Sequence, residues 1–427
     1  MISTVTNSYK DTVAHNLDIR VRATITNTDG YPTSRVIWNE HIIDRGFSFT
    51  DSNSQDGFLE IGSCVVNEMM LTITNPIDYN DFKYAGAQVK LEIGRIINGE
   101  VEYFQKGIYC VISDGYYSDV VTLTCYDSMT LLDIPFDATN YYDDEGNFNS
   151  CTLLALWTDF LTQANVTCYY IPFKASLELS NVEGLENMTL RELLMYICQI
   201  ECCYARFNRL GELELKWHKL GVAKTDTDID TTVYVVDSYK KADTVTVQGV
   251  KITNISNRKD YQTAGTRTYL LVVDGNPLIN KGYTIEVAEH IASKIEDKQI
   301  QPLNCRIAPN ELLEVGDKVI VVNDSQDTAV VTCITNILYT MGEPMYISCG
   351  AESKEQNLTN RGISQIERTV KNVKNITQGI QRIEQTKDSN GKITALKYVF
   401  DDDTYSTIGV SYDSNGKITM IGGTVIT

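Results

Sequence analysis

Acidic side chains are the residues of this sequence best placed to do chemistry, and they fall into three groups. Asp226, Asp228 and Asp230 alternate with other residues, Asp143-Asp144-Glu145 form one run, and Asp401-Asp402-Asp403 form another. Clustered carboxylates suggest a hard cation, but a calcium loop combines them with a turn-making glycine and a bidentate glutamate downstream. None of the three segments carries that combination, so all three read as solvated loops. Histidine, the usual general base near neutral pH, is present at His15, His41, His218 and His290. These positions are scattered, with no H-E-x-x-H and no serine or cysteine motif to pair with them. No G-x-S-x-G, phosphate-binding loop or G-x-G-x-x-G is present. Cys198 and the adjacent Cys202 and Cys203 lack a second pair or a nearby histidine, which argues against zinc. Cys110, Cys125, Cys198, Cys333 and Cys349 sit in hydrophobic runs and read as buried, reduced thiols. The sequence therefore predicts no catalytic residue, no metal site, no cofactor and no enzyme activity.

What remains is a question of architecture. A chain of 427 residues is too long for one ordinary core, so three or more units are expected. With 43% hydrophobic and 22% charged residues the composition is that of a globular protein. A formal charge of −19 is the wrong sign for reading phosphates, so sequence-specific nucleic-acid binding is not expected. The N-terminus has no basic start followed by an apolar run, and no stretch of about eighteen apolar residues occurs. Neither secretion by a signal peptide nor membrane insertion is predicted.

From about Ile19 to Phe136 the pattern has the period of strands. Val121, Leu123 and Cys125 alternate with Thr122, Thr124 and Tyr126, which gives one buried and one polar face. The period changes after Asn147, where Leu153, Leu156, Trp157, Phe160 and Leu161 share a helical face. A second helix opens at Thr189-Leu190-Arg191-Glu192, a capping box in which each side chain satisfies the other residue's backbone N–H. A hairpin follows, with Leu213, Leu215 and Trp217 alternating with Glu212, Glu214 and Lys216. Strands rich in β-branched residues resume from Thr232 to Ala351, interrupted by a helix with Ile285, Ala288, Ile291, Ala292 and Ile295 on one face. The predicted fold is mainly β with an α+β insert. Its expected units are a β barrel or sandwich at 1–136, an α+β insert at 137–228 and a second β unit at 229–352.

The next stretch differs in kind. Ile363, Ile366, Val370, Val373, Ile376, Ile380 and Ile383 are spaced 3, 4, 3, 3, 4 and 3 residues apart. That is a heptad seam with one skipped step, and β-branched residues at both seam positions favour three or four strands over two. A trimeric coiled coil over 353–386 is expected in preference to an amphipathic helix packed on its own domain. Beyond it, Asp388-Ser-Asn-Gly-Lys-Ile-Thr394 recurs as Asp413-Ser-Asn-Gly-Lys-Ile-Thr419, and each Asn-Gly is a hairpin cue. Two hairpins over 387–427 cannot bury a core alone, so this tail is expected to need an oligomer.

The order of units resembles the tail-hub family of phages and contractile injection systems, with its baseplate hubs and "prophage endopeptidase tail" or tail-associated lysin proteins. The likeness rests on Phe58-Leu-Glu-Ile-Gly62-Ser63, Ala87-Gln-Val-Lys-Leu91, Lys106-Gly-Ile-Tyr109, and the closing Val121-Thr-Leu-Thr-Cys-Tyr-Asp127 with Leu132-Asp-Ile-Pro-Phe136. Thr189-Leu-Arg-Glu-Leu-Leu194, Asp274-Gly-Asn-Pro277-Leu-Ile279 and Leu313-Glu-Val-Gly316-Asp317-Lys-Val319 continue it over about residues 20 to 351. Asn276-Pro277 and Gly316-Asp317 read as turn formers, not ligands. The resemblance implies a homotrimer whose two β units alternate around a ring at the virion tail tip, made in the host cytoplasm. It implies a distal tail protein or tail tube and a tape measure protein as partners, with a fibre, spike or lysin at the C-terminal hairpins. Acidity suits a channel wall that must not hold passing DNA. Lysin members carry a lytic domain after the hub, for which about forty residues beyond the coil leave no room. Two competing readings are a receptor-binding tail fibre or adhesin, and a tail-associated endopeptidase.

Overall fold

A computed structural model describes residues 5–13, 18–27, 34–54, 59–74, 82–117, 119–172, 175–180, 182, 184–253, 261–265, 270–279, 284–350, 380–387, 393–400, 405–412 and 418–426. The chain divides into two compact units, Met1–Lys354 and Glu355–Thr427. No helix among the described residues is long and apolar enough to cross a membrane.

The first unit opens with helix α1 (Asn7–Val13) and strands β1 (Arg20–Thr26), β2 (Ser34–Trp38), β3 (Ile42–Ser52), β4 (Glu68–Thr74), β5 (Gln88–Ile97), β6 (Glu100–Tyr117) and β7 (Val120–Asp127). In β7 the residues of one face, Val121, Leu123 and Cys125, are fully buried, as the period of two requires. Asn98 and Gly99 both take positive φ (54° and 90°), the twist that joins β5 to β6 in a tight hairpin.

An α+β segment follows, with β8 (Cys151–Thr152), α2 (Leu153–Ala164), β9 (Glu178–Leu179), α3 (Leu190–Glu201), β10 (Tyr204–Phe207) and β11 (Leu213–Lys216). The capping box at α3 is formed. Glu192 N–H donates to the Thr189 hydroxyl at 3.2 Å, and Thr189 N–H donates to the Glu192 carboxylate at 2.9 Å. Then come β12 (Thr231–Lys241), β13 (Val245–Thr246), β14 (Gly249–Thr253), β15 (Tyr261–Gly265), β16 (Leu270–Asp274), α4 (Thr284–Ile295), β17 (Gln299–Ile300), β18 (Leu303–Ile307), β19 (Lys318–Asn323), β20 (Thr328–Cys333), β21 (Asn336–Thr340) and β22 (Met345–Cys349).

Thirteen of these strands form one sheet, ordered β2-β1-β5-β6-β7-β4-β3-β21-β22-β18-β12-β19-β20. The strands of the N-terminal segment and those after the insert are thus hydrogen-bonded to each other, Ser48–Ser52 of β3 running antiparallel to Asn336–Thr340 of β21. Among the described residues, the β12–β19 pair is the one parallel pair of this sheet. The apolar side chains sort into two cores. One contains the sheet strands and α1 (Phe47, Leu71, Leu123, Val319, Ile337). The other gathers α2 and α3 with β14, β16 and α4 (Phe160, Leu194, Ile252, Val273, Ile291). The described residues of β14, β16 and α4 therefore pack with the insert, although the strand period had grouped them with residues 229–352. Sequence period reports the type of an element; its apolar face decides which core it joins.

The second unit contains β23 (Ile380–Lys387), β24 (Ile393–Phe400), β25 (Tyr405–Tyr412) and β26 (Ile418–Ile426), an antiparallel sheet in chain order. Both copies of the repeated segment fall, in sequence, between paired strands, and their Asn-Gly pairs lie outside the described residues. The coil expected over 353–386 is corrected at its end. Ile380 and Ile383 belong to a strand, Ile383 opposite Tyr398 and Ile380 opposite Phe400. β-branched residues beside an Asn-Gly cue favour the hairpin over a last helical turn. Ile363, Ile366, Val370, Val373 and Ile376 lie outside the described residues.

Candidate functional site

The structure scatters the residues singled out as possible catalysts. His218 is buried, its Nε2 beside the Glu60 carbonyl (3.1 Å), and burial lowers its pKa to about 4. His41 accepts from the Trp38 N–H through Nδ1, and His290 is buried on α4. His15 and Asp401–Asp403 lie outside the described residues. All eleven cysteines are unpaired. Among the described residues no group of His, Cys, Asp and Glu is arranged to hold a metal ion.

Of the two acidic groups among the described residues, Asp143-Asp144-Glu145 is an exposed loop as expected, and the Asp226–Asp230 group departs from that expectation. Asp143 closes its own turn, accepting from Glu145 N–H (2.9 Å) and Asn147 N–H (2.8 Å). Asp226, Asp228 and Asp230 surround a lysine instead of facing water alone. Lys318 Nζ, almost wholly buried, donates to Asp226 at 2.5 Å and to Asp228 at 2.9 Å. Asp230 accepts from Lys219 Nζ (2.6 Å) and from the Lys318 N–H (2.9 Å). An ammonium thus fills the place a metal ion would take. The three aspartates are brought round the lysine by turns, one of them closed by the Asp226 N–H donating to the Ala223 carbonyl at 3.1 Å.

The densest polar site is the turn Pro309–Asp317, which the sequence had marked only as a turn former. Gly316 does form a turn: its φ is +86°, and a Cβ there would lie 1.9 Å from the Tyr204 hydroxyl oxygen. The same turn also ties three parts of the first unit together. From the sheet, Arg95 makes a two-pronged pair with Glu311, with Nε and Nη2 each 2.6 Å from a carboxylate oxygen. Both side chains are fully buried. From α1, the Tyr9 hydroxyl donates to the same carboxylate at 2.6 Å. Lys106 of β6 donates to the Glu311 and Leu313 carbonyls at 3.1 and 3.0 Å, its ammonium 4.9 Å from the centre of the Phe49 ring. From the insert, Arg209 (2.7 Å), Lys216 (3.3 Å) and Arg206 (3.5 Å) converge on Glu314. Tyr204 donates to the Val315 carbonyl at 3.1 Å.

Electrostatics follow from this geometry. Burial alone would raise the Glu314 pKa, but Arg206, Arg209 and Lys216 outweigh it and hold the carboxyl far below the usual range. Lys106 has no carboxylate in hydrogen-bond contact, and burial, with Arg209 nearby, lowers its pKa to about 8. Burial pushes Asp127 up to about 7 against the N–H groups of Met129 and Asn67 that favour its charge. Asp51, Asn67, Lys106, Asp127 and Arg206 enclose a cavity of about 30 Å³, room for a water. This arrangement binds chain to chain; Glu314 is occupied by cations and is no free base.

Arg95, Arg206, Arg209 and Glu311 were not singled out from the sequence, and Lys106 and Glu314 entered only as members of the family-like motifs. A signal existed in β5, where Val89, Leu91 and Ile93 are buried and Arg95 falls at the next core position. A charge in core phase demands a buried partner. Asn276 is a second case. It lies in the foreseen turn, but its buried amide also donates to the Tyr196 carbonyl (2.8 Å) and Gln199 (3.0 Å) of α3.

No family model matches the sequence, and no curated protein matches it. Solved structures do match. The chain is similar to the 43 kDa tail protein of prophage MuSo2 from Shewanella oneidensis, at 12% identity and TM-score 0.46, over 78% of this chain and 98% of that one. It is similar to a tail protein from Neisseria meningitidis MC58, at 10% identity and TM-score 0.45, over 77% and 95%. Prophage tail protein gp18 from Listeria monocytogenes EGD-e gives 11% identity and TM-score 0.47, over 82% and 99%.

Proposed function

We propose that this chain is a non-enzymatic structural protein of a phage-like tail, a hub that assembles as a trimeric ring at the tail tip and adapts a sixfold tube to a threefold tip. The observation that carries this reading is the edge-to-edge joining of two β units within one thirteen-stranded sheet. The sheet ends in two edges, β2 and β20, each paired on one side only. Thr328-Ala-Val-Val-Thr-Cys333 of β20 has no charge and no proline, the devices that ordinarily protect an exposed edge. Different edges at the two ends of one sheet make a head-to-tail contact, which closes into a ring when the rotation permits. Three copies bring six β units to that ring. The order of motifs from Phe58 to Val319 supports the same assignment, and the charge of −19 suits a lumen that lets nucleic acid slide through.

In this reading the ring meets a distal tail protein or tail tube on one side and the tape measure within. Electron-microscopic averages of the purified chain are expected to show a threefold ring with six lobes around a channel. Single chains, or closed particles with no channel, would remove the reading.

A further inference from the structure

Three thiols meet at the end of α3, and two backbone devices bring them there. The first is the helix end. Cys202 takes a left-handed φ of 58°, the Cys203 N–H donates to the Cys198 carbonyl at 3.0 Å, and the Cys202 N–H donates to the Gln199 carbonyl at 3.4 Å. These are the two hydrogen bonds of a Schellman motif, in which the residue after the left-handed one packs back on the last helical turn. Here that contact is between Cys203 and Cys198, and the Cys203 thiol donates to the Cys198 carbonyl at 3.7 Å. The second device is the segment between β3 and β4. The Gly62 N–H donates to the Cys203 carbonyl at 2.8 Å and the Ala205 N–H to the Ser63 carbonyl at 2.9 Å, which lays this segment alongside Cys203–Ala205. Gly62, with φ +84°, permits the approach, because a Cβ there would run into Gln199 and the Met195 carbonyl of α3. Cys64 thus arrives beside the same helix end, and its thiol and that of Cys203 are neighbours of the Cys198 thiol. Cys198 and Cys203 are buried, whereas Cys64 is half-buried and within reach of small solutes.

We infer that Cys64 and Cys198 are a redox-sensitive pair, in which Cys64 is oxidised first and Cys198 closes a disulfide with it. The inference is independent of the assembly proposed above. The co-reactant is a peroxide. The Cys64 thiolate attacks one peroxide oxygen and the O–O bond breaks, giving the sulfenic acid of Cys64 and water. Cys198 then gives up its proton and attacks the Cys64 sulfur; the S–O bond breaks, and the hydroxide takes that proton and leaves as water. Two thiols and one hydrogen peroxide become one disulfide and two waters. Burial, and then contact with Cys203 and Cys64, raises the Cys198 pKa well above the ordinary thiol value, so the second step is the slow one. Neighbouring thiols need little backbone movement to reach disulfide geometry. The bridge fastens the β3–β4 segment, whose Leu59 and Ile61 already belong to the core of α2 and α3, to the end of α3. Because it closes a long loop, it constrains the unfolded chain strongly.

The test uses the full chain with its thiols reduced, treated with hydrogen peroxide while folded. Remaining thiols are then alkylated in denaturant, and peptides are mapped by mass spectrometry without reduction. The expected result is a Cys64–Cys198 link as the dominant pairing among the eleven cysteines. The oxidised chain should also melt about 5 °C higher than the reduced one. Cys198→Ala should leave Cys64 as a sulfenic acid that a cyclic 1,3-dione traps, several-fold more than in wild type. Cys203→Ala should keep the link. The wild-type map decides even where a variant misfolds. Pairing of Cys198 with Cys203 while Cys64 stays reduced would overturn the inference. So would links scattered as in the urea-unfolded chain, or Cys64 and Cys198 recovered as free thiols.

Discussion

Two buried lysines flank the Pro309–Asp317 turn, and they are held in opposite ways. Lys318 has two carboxylates against its ammonium, at 2.5 and 2.9 Å. Lys106 has only two backbone carbonyls and the face of Phe49. The first cation is compensated charge for charge; the second relies on dipoles and keeps most of its desolvation penalty. One corner of the turn is therefore a strong joint and the other a strained one. The contrast shows that an ionic site can serve as a rigid connector without every charge in it being stabilising.

The sharpest break of that contrast is at the pair buried most completely. Replacing Glu311 by Ala leaves Arg95 charged and without its partner, and a loss of about 3–5 kcal/mol in urea unfolding is expected. A loss under about 1 kcal/mol would mean that the turn does not hold the sheet to α1. Glu314→Gln is expected to cost about 2–4 kcal/mol, because Arg206 and Arg209 keep their charges in a mostly buried site. Its sign with pH follows from the lowered Glu314 pKa. The wild-type advantage is present above the ordinary carboxylate range and fades as pH falls below about 4, so the two urea curves should converge in acid. Lys318→Met should cost less, about 1–2 kcal/mol, since Asp226 and Asp228 are partly exposed and water relieves their repulsion.

These sites explain which parts of the molecule were legible in the sequence. The period of two in β7, the capping box at Thr189 and Glu192 and the Asn98-Gly99 hairpin are local devices, set by residues within one turn or strand. The joining of β3 to β21 and the shared core of α3 and α4 are not local. They depend on residues about 100 to 300 positions apart, which no window of sequence contains. The same holds for Glu311 and Glu314, ordinary acids in sequence whose arginines arrive from β5 and the β10–β11 hairpin. The spacing of Asp226, Asp228 and Asp230 was visible, but the lysine that answers it comes from β19. At Ile380 the heptad spacing and the hairpin cue competed for the same residues, and strand pairing prevailed.

The smallest effect at pH 7 is expected at Lys106, and there pH is the discriminating variable. Lys106→Met removes a buried charge that faces Asp51 from β3, Asp127 from β7, Arg206 and Arg209 from the insert hairpin and Glu314 from the turn. It also strands the Glu311 and Leu313 carbonyls, which offsets the gain, so stability at pH 7 should stay within about 1 kcal/mol of wild type. The folded pKa of about 8 lies below the lysine value of 10.5, so the folded state binds fewer protons than the unfolded chain between these limits. Wild-type stability must then rise relative to the variant as pH increases through that window. Urea curves of both proteins at pH 7 and pH 10 should show the difference moving in favour of wild type by on the order of 2–3 kcal/mol. A difference that stays flat would mean that Lys106 is as well compensated as Lys318, and the contrast between the two corners of the turn would disappear.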